Sequence, residues 1–188
     1  MKIDVGAKAI TGQTRFANKR TLVITGERAE ESGNRARLPR AERHRTDRRE
    51  GKVARLVDHV RPVLDESESE IWDRMRRWGV RPHPAYVAGF GRCSCAYCIF
   101  SNPNQLATLR EIDARGFHQM AGIEETLSHT MKNGLSLHQV ADKGTRYEAA
   151  TDEAAAVLMS HEFNLPILMD SKDWKLPAGA FGENAGPR

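Results

Sequence analysis

The sequence predicts an α/β fold in which a parallel sheet is followed by a mainly helical C-terminal region. Two short runs rich in β-branched residues, 21–25 and 56–60, have the length and apolar character of buried parallel strands. Helix signals follow them, first at Ser67 and again from Asn102 onwards. With 188 residues, the chain is long enough to bury a substantial core.

Each predicted strand ends at a residue that turns the chain. Residues 21–25 stop at Gly26, and residues 56–60 stop at Arg61 and Pro62. The residues between the strands are polar and rich in arginine, so we expect a long excursion there. Because ligands of open α/β sheets bind at the carboxyl ends of the strands, the loop after Gly26 is the first candidate site.

Four helices are predicted from their caps and apolar spacing. The first follows the capping box of Ser67 and Glu70, the second begins at Asn102, and the others span about 117–131 and 151–163. The residues predicted to face inward are Ile71, Trp72, Met75 and Trp78 in the first helix, Leu106, Leu109 and Ile112 in the second, and Met120, Ile123, Leu127 and Met131 in the third.

The net charge of +4 is concentrated in one window. Residues 35–55 hold nine basic and three acidic residues, a net charge of +6. Such a field suits an anionic ligand, either a nucleotide or a nucleic acid; the alternative is a solvated, mobile loop. No apolar run approaches the roughly 18 residues that span a bilayer, and residues 1–5 do not begin a secretory signal. We therefore expect a cytoplasmic protein.

The loop after the first strand has the composition of an anion site. Arg28 and Arg35 can present bidentate donors to phosphate or sulfate oxygens. Glu31 can orient a guanidinium, Ser32 can donate to an anion, and Gly26 allows the backbone to approach a ligand closely. The alternative is a surface loop with exposed ion pairs, which contribute little.

His83 is a second candidate, because it lies between two prolines on a stiff segment. Pro84 excludes His83 from the α region. The imidazole can serve as a ligand, as an acid or base, or as a phosphate contact. The alternative is a packed loop histidine.

Three cysteines lie within six residues, at Cys93, Cys95 and Cys98. An odd number so closely spaced does not predict a disulfide framework. The Cys-x-x-Cys pair is a half-site for zinc, completed by His83 or His118, or for an iron–sulfur cluster with an outside ligand. A redox-active pair and three small side chains packed in a turn are the alternatives.

At this point the sequence resembles the phosphoadenosine phosphosulfate (PAPS) reductase family in three segments, in the family's order. The loop from Gly26 to Arg35 resembles the motif Gly-x-Arg-x-x-Glu-Ser-x-x-Arg. Residues 60–72 resemble the family's proline and aspartate segment with its Ile-Trp helix, and residues 78–98 resemble the run that ends in Cys-x-x-Cys.

The resemblance covers about residues 20–115 and is to the C-terminal half of a phage or bacterial type of this domain. It implies a partial Rossmann-like sheet of the adenine nucleotide α-hydrolase (HUP) superfamily within residues 1–115. The helix signals predict a helical extension at 116–165, and the composition of the C-terminus predicts a flexible tail at 166–188.

The resemblance also implies ligands. An adenine nucleotide, PAPS or ATP, would contact Gly26, Arg28, Glu31, Ser32, Arg35 and His83. An iron–sulfur cluster, or zinc as the alternative, would be held by Cys93, Cys95 and Cys98.

Two motifs of the family are absent from this sequence. There is no Ser-Gly-Gly-Lys-Asp-Ser-type loop, and no cysteine follows Cys98, so the Glu-Cys-Gly-x-His motif is missing. Catalytic residues are therefore unassigned, and an oxidoreductase activity of the PAPS reductase type stays open. We expect a truncated or split member with sulfonucleotide-reduction or sulfur-transfer ancestry, whose sheet a partner chain or a second copy completes.

Two further hypotheses belong to other functional classes. One is a sulfur-activating component of nucleic-acid modification, of the phosphorothioation type, in which the basic window at 35–55 would contact DNA. The other is a non-enzymatic, zinc-stabilised binding module.

Overall fold

The computed structural model describes residues 2–52 and 54–182. The chain divides into two compact units, unit 1 at Met1–Glu70 and unit 2 at Ile71–Arg188. The boundaries predicted from the sequence, at residues 115 and 165, stay predictions.

Unit 1 is built on a three-stranded sheet in the order β1-β3-β2. The strands are β1 (Arg20–Ile24), β2 (Ala41–Arg43) and β3 (Leu56–Val60). The central strand β3 runs parallel to β1 and antiparallel to β2. The predicted α/β class and the parallel pair are therefore confirmed, whereas the whole sheet is mixed.

Strand β2 lies inside the excursion where no element was predicted. Its three residues are all exposed, and the sequence there shows no alternation of apolar and polar residues that would predict a strand. Backbone pairing to β3 holds it instead, and the amide of Arg61 extends this ladder by donating to the carbonyl of Arg40 at 2.8 Å.

One face of the sheet is covered and the other is largely open. Val57 and His59 are buried on the covered face, where Ile10 of helix α1 (Lys2–Gly12) is also buried. On the other face, Leu22 and Ile24 of β1 are 56% and 65% exposed. The prediction that β1 is a buried strand is wrong for these side chains, because β1 is an edge strand covered on one side only.

Unit 2 is mainly helical, as predicted. Helix α2 (Glu68–Arg77) begins at the end of unit 1 and continues into unit 2. The helices that follow it are α3 (Pro84–Val87), α4 (Pro103–Ile112), α5 (Ala114–Leu127), α6 (Leu137–Ala141) and α7 (Asp152–Met159).

The core of unit 2 lies among α4, α5 and α6. Leu106, Phe117 and Leu137 are fully buried there. Helix α5 turns Phe117, Ala121 and Glu124 inward. Of the predicted inward residues, Met120 and Met131 pack partly against this core, whereas Ile123 and Leu127 are exposed, as is Trp78 beyond the end of α2.

Residues 160–182 form no helix or strand. They contact the earlier part of unit 2 through a bridge between Leu168 and Val80 and through Trp174, whose indole donates to the carbonyl of Val80 at 2.8 Å. The flexibility predicted for residues 166–188 stays a prediction, and its last six positions, 183–188, lie outside the described residues. Within the described part of the chain, no helix combines the length and apolarity that crossing a membrane requires.

Candidate functional site

A buried guanidinium lies at the carboxyl end of the parallel strand pair in unit 1. Arg61, which directly follows β3, is only 4% exposed. Its Nε donates to Glu27 at 2.6 Å, and one terminal nitrogen donates to Glu42 at 2.7 Å. The other terminal nitrogen donates to the carbonyl of Pro39 at 2.8 Å. Two carboxylates and a carbonyl thus compensate the buried charge.

The hydrogen bonds around Arg61 have a fixed direction. A guanidinium can only donate, so Nδ1 of His59, 3.2 Å from Arg61, accepts. The proton of the neutral imidazole then lies on Nε2, which donates to the hydroxyl of Thr25 at 2.8 Å. That hydroxyl donates to Glu27 at 3.0 Å. The chain therefore runs from Arg61 through His59 and Thr25 to Glu27.

The surroundings set the charges of this network. Burial raises the pKa of Glu27, but hydrogen bonds from Arg61 and Thr25 outweigh it and hold the pKa below its ordinary value. Burial opposes the charge of Arg61, yet the hydrogen bonds that Arg61 donates to Glu42 and Glu27 raise the pKa of the guanidinium. Burial is the main cause that lowers the pKa of His44 below its ordinary value, so this imidazole is neutral at neutral pH.

The network lines a cavity of about 560 Å³ within unit 1. Helix α1 contributes one wall of small and apolar side chains, while the polar groups described above contribute another. A cavity of this size with a few convergent polar groups is typical of a small-molecule site. Its lining includes Ile3, Gly6, Ala7, Ile10, Val23, Thr25, Glu27, Leu38, Glu42, Arg43, His44, Arg45, His59 and Arg61.

None of Thr25, Glu27, His59 and Arg61 was predicted as a site residue. A sequence signal does exist, because polar residues occupy positions 59 and 61, which share one face at the end of an apolar strand. The pairing register of β1 and β3 places the end of β3 beside Thr25, whose amide donates to the carbonyl of Val60 at 3.2 Å. Only the pairing of β1 with β3 makes the four residues neighbours.

The predicted anion loop, residues 26–35, includes Glu27 of this network. Its two predicted arginines are paired with carboxylates. Arg28 lies 2.9 Å from Glu30, 3.7 Å from Glu31 and 3.8 Å from Glu68. Glu31 also accepts from the guanidinium of Arg35. The structure thus brings both predicted guanidiniums to one carboxylate, Glu31, as the prediction that Glu31 orients a guanidinium requires.

Ser32 and Gly26 have simpler surroundings. The hydroxyl of Ser32 accepts from the amide of Arg35 at 3.3 Å, which supports the single helical turn Arg35–Arg37. Gly26 does not adopt a positive φ, and a Cβ at this position would meet no atom within 4 Å. The chain therefore needs no glycine to turn here, and the space beside Gly26 is open.

The basic window at 35–55 is partly paired with acids within unit 1. Arg49 donates to Asp47 at 2.8 Å and to Asp58 at 2.7 Å, and Arg45 donates to Asp4 at 2.7 Å. Hydrogen bonds from Arg49 hold the pKa of Asp47 well below its ordinary value. These acids reduce the positive field that the sequence window alone indicates.

His83 is in unit 2, where it begins helix α3. Its Nδ1 accepts from the amide of Ala85 at 3.1 Å and lies 3.5 Å from the sulfur of Cys93. The cap bond engages the Nδ1 lone pair, so taking up a proton there would break the cap. This geometry disfavours His83 as a base for Cys93.

The cysteine segment does not form a ready-made metal site. Among residues 2–52 and 54–182, no group of three or more His, Cys, Asp or Glu side chains is arranged to hold a metal ion. Cys93 and Cys95 are exposed and Cys98 is half-buried. His118, the other predicted zinc ligand, packs against the rings of Phe117 and His138. The tetrahedral donor set of zinc or of a cluster is therefore not assembled, and both metals stay predictions.

Comparison with known proteins identifies a family and two relatives to which this chain is similar. The family model described as "Phosphoadenosine phosphosulfate reductase domain" matches residues 1–100. An "Uncharacterized 37.8 kDa protein in gpa 5'region" of Escherichia phage 186 is 35% identical over 104 residues, which is 55% of this chain and 28% of that protein. No solved structure matches.

A second relative has a named activity. The "Adenosine 5'-phosphosulfate reductase" of Allochromatium vinosum is 31% identical over 97 residues, which is 52% of this chain and 32% of the reductase. The chain spans about a third of the length of these curated relatives. Because the family model covers more than half of the sequence, the chain belongs to the phosphoadenosine phosphosulfate reductase domain family.

Proposed function

We propose that unit 1 binds an adenine nucleotide or sulfonucleotide at the carboxyl ends of β1 and β3. The observation that carries this proposal is the cavity of about 560 Å³ whose polar wall is the Arg61, His59, Thr25 and Glu27 network. Membership in the family and the printed name of the Allochromatium relative support the ligand class.

The two walls of the cavity suit the two parts of a nucleoside. The small and apolar side chains of α1, including Ala7 and Ile10, offer contact to a flat base. The hydroxyl of Thr25 and the carboxylate of Glu27 offer acceptors for ribose hydroxyls or an exocyclic amine.

The phosphate or sulfate would be bound by the neighbouring loop, with Gly26, Arg28, Glu31, Ser32 and Arg35 as its residues. An entering oxyanion would replace a carboxylate on Arg28 or Arg35, so the pairs with Glu31 keep both guanidiniums in position beforehand. The contact of the nucleotide with His83 stays a prediction.

Binding of adenosine 5'-phosphosulfate, PAPS, ATP and GTP, measured by isothermal titration calorimetry, tests the proposal. We expect the adenine nucleotides to bind and GTP to bind more weakly. Arg28→Gln should weaken binding of the adenine nucleotides about 10-fold or more, because it removes a charge-assisted hydrogen bond. Arg37→Gln is the matched control, since Arg37 is a basic residue of the same segment outside the proposed contact set.

Equal binding of adenine and guanine nucleotides, or an Arg28→Gln variant as tight as the wild type, would contradict the proposal. We expect little or no PAPS reduction by this chain with a thiol donor, because the sequence lacks the family's C-terminal cysteine motif. No catalytic residue is proposed.

The other two hypotheses have less support. A DNA-modification role requires a basic face, but several arginines of the 35–55 window are paired with acids. A zinc-stabilised module requires converging ligands, which the described residues do not contain.

A further inference from the structure

Two histidines of unit 2, His118 on α5 and His138 on α6, place their imidazole rings next to each other. The ring centroids are 5.8 Å apart, and the ring planes are tilted by 41°. His118 is exposed and His138 is half-buried, so the pair lies at the surface. The nucleotide proposal uses neither residue.

The buried ring of Phe117 supports both imidazoles from the core side. Its centroid lies 5.1 Å from the ring of His138 and 6.2 Å from the ring of His118, each in an edge-on arrangement. Within residues 2–52 and 54–182, neither imidazole makes a hydrogen bond or an ion pair with another residue. Aromatic packing therefore positions the two rings, and the lone pair of each neutral ring is available to an external ligand.

The spacing of the two rings suits one shared metal ion. Imidazole nitrogens bind zinc at about 2.0–2.1 Å in tetrahedral geometry, which places the ring centroids of two histidines roughly 5 Å apart. The observed 5.8 Å differs from this value by an amount that small rotations of surface side chains can supply. In the described part of the chain, no third His, Cys, Asp or Glu side chain is arranged to join the pair, so water would complete the coordination.

The donor set selects the class of ion. Neutral imidazole suits Zn²⁺, Ni²⁺ and Cu²⁺, whereas Mg²⁺ and Ca²⁺ require oxygen ligands. The nearest carboxylate along α6 is that of Asp142, four positions after His138, and it accepts from Arg110 at 2.6 Å. Two protein ligands with water form an exchangeable site, unlike the closed four-ligand site of structural zinc.

We propose that His118 and His138 form an exchangeable site for a divalent transition-metal ion, which links α5 to α6 across the connection at residues 128–136. The proposal is independent of nucleotide binding, because both ligands belong to unit 2. It is also distinct from the predicted cysteine site, since no thiol contributes a ligand.

Zn²⁺ alone is the probe, added to the full chain after its three cysteines have been carbamidomethylated so that thiols do not compete. Proton–nitrogen NMR spectra of the imidazole rings should show Zn²⁺ shifting the signals of His118 and His138, while Mg²⁺ leaves both unchanged. His118→Gln and His138→Gln should each weaken Zn²⁺ binding about 10-fold or more in calorimetric titrations, because two linked ligands bind far more tightly than one. His118 is exposed, so its substitution leaves the core intact.

The chain offers a matched control in His129, which follows the end of α5. It is exposed, and its ring contacts no other aromatic ring among the described residues. His129→Gln should therefore bind Zn²⁺ like the wild type. Equal Zn²⁺ affinities of the wild type and His118→Gln would overturn the proposal, as would ring signals of His118 and His138 that Zn²⁺ does not move.

Discussion

At the scale of single residues, Arg61 organises the polar wall of the cavity in unit 1. Its guanidinium lies at the end of β3, where it is buried and joined to Glu27, Glu42 and His59. Removing one partner of a buried ion pair is strongly destabilising, because the remaining charge stays unpaired. The carboxylates of this network therefore affect folding as well as ligand binding.

Replacing Glu27 with glutamine should lower the free energy of unfolding at neutral pH by about 1–3 kcal/mol. The pKa of Glu27 lies below its ordinary value of 4.5, so its ionised form stabilises the fold above pH 4.5. This contribution is lost as the pH falls from about 4.5 through the folded-state pKa. Urea denaturation across this range should show the wild type and the variant converging in acid.

The control for that measurement is Glu50→Gln. Glu50 is highly exposed and its ion pair with Arg43 is long, at 3.9 Å, so the change should have an effect within about 0.5 kcal/mol. A Glu27→Gln variant as stable as the wild type at neutral pH, or a difference that widens in acid, would contradict the role assigned to this carboxylate.

The sequence predicted that Glu31 pairs with an arginine of the loop after β1, but it did not predict the buried network. Arg28, Glu31 and Arg35 lie close together in sequence, so local spacing was enough to predict their pairing. Thr25 and His59 are 34 positions apart and meet only through the register of β1 and β3. Sequence periodicity carries no information about which strands pair at which register.

At the scale of elements, the predicted helices were those with both a cap and enough residues to repeat an apolar spacing. Asn102 caps α4 and Thr151 caps α7, each through a side chain that accepts from a backbone amide. Helix α1 was missed because its sequence contains two glycines, which count against a helix. Helices α3 and α6 have four and five residues, too few to repeat an apolar spacing.

Gly79 lies just beyond the end of α2 and contacts Met169, in the segment at 160–182 that follows α7. It has φ +63°, and a Cβ there would overlap the carbonyl oxygen of Met169. Its own carbonyl accepts from the amide of Met169 at 2.8 Å. Gly79→Ala should therefore lower the free energy of unfolding by more than the roughly 1–2 kcal/mol that a left-handed alanine costs.

Gly134→Ala is the matched control, measured by thermal or urea denaturation. Gly134 has φ +71°, but a Cβ there would meet nothing within 4 Å. The Gly134→Ala variant therefore incurs only the conformational cost of a left-handed alanine, without a steric overlap. Equal losses of stability in the two variants would show that the contact with Met169 contributes nothing.

At the scale of the whole molecule, charge is divided unevenly between the two units. Unit 1 contains 16 basic and 12 acidic residues, a net charge of +4, whereas unit 2 is neutral with 13 of each. An anionic ligand is therefore attracted by unit 1 as a whole. Unit 1 also carries the exposed Leu22 and Ile24 on its edge strand β1.

The completion of this sheet by a partner or a second copy stays a prediction, and hydrodynamics can test it. An exposed apolar edge strand favours association through its unpaired backbone groups. Sedimentation should then give a mass above the 21.1 kDa of one chain. Ile24→Glu should return the mass to one chain, while Val87→Glu, at an exposed position in unit 2, should not. A wild-type monomer would exclude the second copy.

The contact between Gly79 and Met169 also bears on the order of folding. Close by, the indole of Trp174 reaches the carbonyl of Val80 across 94 positions of sequence. Closing so long a loop before its interior is folded carries a high entropic cost, so we expect these contacts to form after α4, α5 and α6 have packed. Gly79→Ala should then accelerate unfolding far more than it slows refolding in stopped-flow measurements.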